Sequence, residues 1–236
     1  MEARPTDVNT DIFNATMRET RETFARWGKS PVKVIGRWML VSFSIASMML
    51  VAVLIVSHLT TATETSSLPN IIGKSSIGDA VRVFFRNSLV LALHAFVCLA
   101  GFMAMRALPE QAQYKRGVDR WVHEHAGPAA MVFVTCATLF SICTQITILG
   151  HTVADLSLTL NLAQGELLLT VLPHALIELT AVFLPLAAFL MASRSGDWHE
   201  LLAATVVTVA IAVPMLMLAA YIEAYVWPDI LSSVLF

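Results

Sequence analysis

Five apolar runs, each close to the roughly 20 residues a helix needs to cross a bilayer, mark this chain as an all-α polytopic integral membrane protein. About five transmembrane helices are expected, preceded by an N-terminal amphipathic helix. Composition points the same way. Apolar residues fill 57% of the 236 positions and charged residues only 14%, where a soluble globular domain carries roughly 25% charged residues. The mean hydropathy is +0.71. The charges are also segregated: seven of the 15 Lys and Arg lie in the first 37 residues, against the start of the first apolar run.

Residues 1–37 form the arm. Within residues 10–27, Phe13, Met17, Phe24 and Trp27 share one helical face, with Arg and Glu elsewhere. This pattern suits a helix lying in the headgroup region or packed on the protein's own surface, with Asp11 or Thr10 as a cap. The first apolar run is too long for the core of a cleavable signal peptide and should stay as an anchor.

Residues 38–236 form the membrane domain, with spans expected at 38–59, 89–108, 129–150, 166–192 and 201–227. The loop at 60–86 ends in a mixed stretch, 75–85, expected as an interfacial helix leading into the second span at Asn87. Residues 109–125 are expected as a short separate helix. Tyr114, Lys115, Arg116, Arg120 and Trp121 there offer a surface for a partner to grip. No repeat or low-complexity tract divides the chain. Cys98, Cys136 and Cys143 lie inside spans as small apolar residues, with no disulfide or zinc spacing.

Positive charge sets the orientation. Arg4, Arg18, Arg21, Arg26, Lys29, Lys33 and Arg37 precede the first span; Arg106, Lys115, Arg116, Arg120 and Arg194 fall on the same side. Only Lys74, Arg82 and Arg86 lie opposite. The N-terminus is therefore expected in the cytoplasm and the C-terminus outside. The basic arm abuts an apolar span and no reading motif follows, so nucleic acid is not the expected partner.

Ionisable groups inside spans are costly, about 2.5–3.5 kcal/mol for Asp, Lys or Arg at a helix centre, and their positions need a reason. His94, Gln145, His174, Glu178 and Glu223 come from four spans. At about 1.5 Å of rise per residue all five fall toward the outer half. His174 and Glu178, about 40° apart on one helix, could instead satisfy each other by a hydrogen bond, and Gln145 could be interhelical glue. Pro173, Pro185 and Pro214 each remove a backbone donor, which a membrane tolerates where protein or water replaces it. Broken helices beside buried acids recur at transporter midplane sites, and Pro173 could open a helix whose N-terminus faces the site.

Two His and two Glu could complete a zinc shell, but His174-x3-Glu178 lacks the second His of a zincin helix. No metal or cofactor is expected. There is no nucleophile elbow, glycine-rich phosphate loop or Walker motif, so the chain is not expected to hydrolyse nucleotide.

Residues 82–228 resemble the stage II sporulation protein M family of polytopic membrane proteins. The resemblance is carried by Phe84-Phe85-Arg86-Asn87 with Gly101 late in the same span. It continues in Leu172-Pro173-His174-Ala175-Leu176-Ile177-Glu178 and in Ala219-Ala220-Tyr221-Ile222-Glu223-Ala224-Tyr225. It implies that Asn87, Pro173, His174, Glu178 and Glu223 are signature polar residues. It also implies either an envelope scaffold for peptidoglycan-degrading proteins or a membrane partner of ATPases and export systems.

The expectation is a membrane subunit of an export, transport or envelope-remodelling complex of the bacterial cytoplasmic membrane. It would work as a homodimer with a separate cytoplasmic ATPase and other membrane subunits. The alternative is a passive scaffold recruiting cell-envelope proteins.

Overall fold

The structure is a computed structural model that describes residues 5–62 and 76–235, with side chains in the first helix from Phe13 onward. Arg4, Lys74 and Ser75 lie outside the described residues. Among those described, the chain is helical with no strand. Five helical segments are long and apolar enough to cross a membrane: Pro31–Leu59, Ile77–Ala112, Gly117–Leu160, Gln164–Ser195 and Trp198–Leu235. The molecule is a multi-pass membrane protein.

Each expected span is present, and each helix runs further than its apolar core. The arm is α1 (Pro5–Gly28), so Thr10 and Asp11 lie within the helix and not at its start. The first span is α2 (Pro31–Leu59), opened by a proline at its first position, where the missing N–H costs nothing. The second is α3 (Ile77–Phe102). Ser76 and Asp79 cap it reciprocally, the Ser76 amide donating to Asp79 at 2.9 Å and the Asp79 amide to Ser76 at 3.3 Å. That cap makes the expected interfacial helix the first turns of the span itself; no break separates the two.

After α3 the chain passes through a π-helical turn, Met103–Ala107, into the short α4 (Leu108–Ala112). A turn at residues 113–116 then leads into α5 (Gly117–Leu160). The expected separate helix at 109–125 does not exist. Its first residues finish the second span, and its later ones begin a 44-residue helix about 66 Å long, more than twice the hydrocarbon thickness of about 30 Å.

The fourth span is α6 (Gln164–Ser195), a single helix that contains both Pro173 and Pro185. Pro173 therefore does not open a helix. It sits in the third turn, ahead of His174. Gly196 ends α6 with φ +79, a conformation that favours glycine. The last segment is α7 (Leu201–Tyr221), a π-helical turn at Ile222–Val226, and α8 (Trp227–Leu235).

Helix α6 is the hub, packing on α2, α3 and α7. Its apolar core with its neighbours includes Ala46, Met49, Val97, Cys98, Phe183 and Leu201. Alanines keep the axes close: Ala181 and Ala188 on α6 and Ala204 and Ala212 on α7 are all buried. Small residues supply such approach in a membrane, where water gives no drive between helices. Gly127 on α5 goes furthest, since a Cβ there would lie 2.5 Å from the Ala104 carbonyl oxygen. Arm contacts fix one end of the bundle. Arg26 pairs with Glu200, Arg106 pairs with Glu19 at 2.9 Å, and Trp27 meets Trp38 edge-on at 5.0 Å.

Candidate functional site

Helices α3 and α6 run in the same direction, and successive contacts show it. Asn87 meets Glu178, the His94 ring lies 5.1 Å from Phe183, and the Cys98 thiol donates to the Pro185 carbonyl at 3.1 Å. Helix α7 runs back along both, packing Ala212 and Leu216 against Leu91 and Ala181. These directions bring Glu223, at the far end of α7, to the level of Arg86 and Glu178.

The centre of the site is a pair of carboxyls. Glu178 faces the Asn87 side chain, and both Glu178 and Glu223 lie within electrostatic reach of Arg86 and, for Glu178, of each other. Asn87 is buried and accepts from the Arg86 Nε at 3.4 Å. Its amide group is left to donate to Glu178, the arrangement that satisfies both of its ends. Three chain segments thus contribute: α3, α6 and the π-helical turn carrying Glu223. A π-helical turn inserts a residue into the α pattern and is frequent at functional positions.

One guanidinium faces two carboxyls here. With Arg86 ionised, the set has room for one further positive charge, a proton or a cation. Counted along α6 from Arg194, Glu178 lies about 24 Å into the helix.

Neither histidine hydrogen-bonds a carboxyl among the described residues. His94 is fully buried, its Nδ1 on the Val90 carbonyl at 3.0 Å, and its Nε2 has no partner among the described residues. His174 is buried with its ring 5.9 Å from Trp227, and its Nδ1 also lacks a partner there. The alternative in which His174 and Glu178 bond each other is not realised: among the described residues no such hydrogen bond or ion pair is made. Trp227 donates instead to Thr170 at 3.1 Å, tying the start of α8 to α6.

Among the described residues Gln145 makes no hydrogen bond to the carboxyl pair. Its amide donates to Ser141 at 3.0 Å on its own helix, and α5 packs chiefly on α2 and α4. Among the described residues no three His, Cys, Asp or Glu side chains gather to hold a metal ion.

Two further donors reach α6 from neighbouring helices. The Ser42 hydroxyl donates to the Thr180 carbonyl, and Cys98 donates to Pro185 itself. Both tie a neighbouring helix to α6 near Pro185, although the carbonyl that Pro185 leaves without its helical N–H is that of Ala181. Pro214 lies inside α7, which stays one helix.

Arg86 is the residue that sequence reasoning missed, because an arginine at a span end is read first as a topology charge. Its place directly before Asn87 was the available signal. Comparison of the chain with family models, with characterised proteins and with solved structures finds no match.

Proposed function

We propose that this protein is a membrane-embedded subunit of an export, transport or envelope-remodelling complex, coupled to a separate cytoplasmic ATPase. The observation that carries the reading is the carboxyl pair Glu178 and Glu223, set against Arg86 through Asn87 and drawn from three segments inside the bundle. Intramembrane ionisable groups facing a bundle interior mark ion, proton or substrate paths. Passive packing would be served at lower cost by apolar residues.

The turn at residues 113–116 and the start of α5 support the coupling. Tyr114 is 65% exposed and Trp121 59% exposed. Around them Lys115 pairs with Asp119 and Arg120 with Glu124, and Trp121 stacks on His125 at 4.8 Å. A rigid, charged and aromatic surface continuous with a membrane-crossing helix suits a push from an ATPase. In this reading the membrane is the bacterial cytoplasmic membrane, with the N-terminus cytoplasmic, the C-terminus outside, and the subunit working as a homodimer. The resemblance to the stage II sporulation protein M family adds to it, since relatives accompany ATPases.

A passive scaffold for cell-envelope proteins is the second reading. The interlocked α2, α3 and α6, with Ser42 and Cys98 bracing the Pro185 region, favour it. Purification in mild detergent tests the proposal: a dimer should come with an ATPase and a second membrane subunit attached. Recovery of bare monomer at every detergent tried would contradict it.

A further inference from the structure

Where the arm meets the bundle, α2, α6 and the start of α7 enclose a cleft of about 570 Å³, within the size range of small-molecule sites. Its walls are apolar, formed by Val34, Trp38 and Val41 of α2 with Ala188 and Met191 of α6. Arg37 and Arg194 stand on it, one from each helix. Among the described residues neither guanidinium has an ion-pair partner, although six other ion pairs form there. Two acids also line the cleft, Glu200 and Asp197. Arg26 already pairs with Glu200, so two unpaired guanidiniums face one unpaired carboxylate and the rim is net positive.

We propose that this cleft binds an anionic phospholipid of the leaflet on the arm side, with an acyl chain against the apolar walls and the phosphate between Arg37 and Arg194. The forked guanidinium matches phosphate oxygens in pairs. Basic pockets between membrane helices take anionic headgroups for this reason. Trp27, edge-on to Trp38, lines the same cleft, and tryptophan is a residue type enriched at membrane interfaces. A free anion would satisfy the arginines and leave the apolar walls bare. A zwitterionic lipid would cover the walls but bring its own cation toward the guanidiniums. The site does not depend on what the carboxyl pair handles.

Native mass spectrometry of the full-length protein tests this, with phosphatidylglycerol, phosphatidylcholine of the same chain length, and soluble glycerol phosphate supplied in turn. Wild type should retain phosphatidylglycerol in preference to phosphatidylcholine and should not retain glycerol phosphate. Arg37→Gln with Arg194→Gln should weaken phosphatidylglycerol retention about thirtyfold, at roughly fivefold per surface cation, and Arg37→Lys with Arg194→Lys should keep most of it. If the double Gln variant does not fold, Arg194→Gln alone, at the exposed last turn of α6, should show the single fivefold loss. Equal retention of both lipids, equal competition by glycerol phosphate, or unchanged retention in the Gln variants would overturn the proposal.

Discussion

Asn87 on α3 meets the Glu178 carboxyl on α6, two helices that run parallel through the bundle. The contact joins a buried amide to a half-buried acid at the level where Arg86 and Glu223 also arrive. Because Asn87 also accepts from Arg86, removing its side chain affects two charged groups together.

Replacing Asn87 by Leu should therefore destabilise the protein by about 1–3 kcal/mol, the cost of leaving a buried polar group without its partner. Combined with Glu178→Ala, which removes the carboxyl that Asn87 meets, in a double-mutant cycle, the coupling should be favourable and near 0.6 kcal/mol, the average for polar contacts between membrane helices, with about 1.7 as the upper bound. Unfolding in a detergent series measures both. A coupling of zero would show that the two side chains do not interact.

Glycines give a sharper contrast. At Gly127 an added Cβ would press on the Ala104 carbonyl oxygen, which belongs to backbone and cannot swing away, whereas at Gly36 nothing lies within 4 Å. Gly127→Ala should lower stability by about 1–3 kcal/mol through overpacking. Gly36→Ala should raise it by up to about 1 kcal/mol through helix propensity. Thermal melting of the two variants side by side decides the matter, and equal shifts would refute the close approach of α5 to residues 103–107.

The five spans were legible because lipid demands long apolar helices and nothing else in the chain satisfies that pattern. Glu178 and Glu223 were legible too, since acids stand out in such runs. Helix ends were less so. The short helix expected at residues 109–125 is not separate because charged residues begin α5 as readily as they form a helix of their own. Pro173 stays within α6 because one lost N–H does not by itself end a helix that neighbours hold in place. Gln145 could not be assigned from depth alone: sharing a level with Glu178 says nothing about which way α5 faces. Arg86 and the bracing by Ser42 and Cys98 needed the direction of each helix relative to its neighbours.

The arm should be held by aromatic packing more than by charge. Trp27→Ala breaks the edge contact with Trp38, which contributes about 0.5–1.5 kcal/mol beyond buried area. Arg26→Ala removes a partly exposed ion pair that contributes no more than about 1 kcal/mol. Limited proteolysis at the residues between α1 and α2 should therefore speed up more in the tryptophan variant, and 1 M salt should mimic only the arginine variant. Meanwhile Phe13, Met17 and Phe24 remain exposed, so the stripe expected to be one apolar face is divided: Trp27 faces the protein and the others face outward.

The most direct test of the carboxyl pair is Glu178→Gln, which keeps the shape of the side chain and its contact with Asn87 while removing its charge. Wild type and variant should be compared in reconstituted membranes together with the co-purified ATPase, with nucleotide turnover as the measured quantity. The variant should fold, still bind its partner and lose at least tenfold in coupled turnover, the scale on which an essential charge or proton carrier is felt. Full turnover in a folded variant would contradict this and leave the two acids as packing alone.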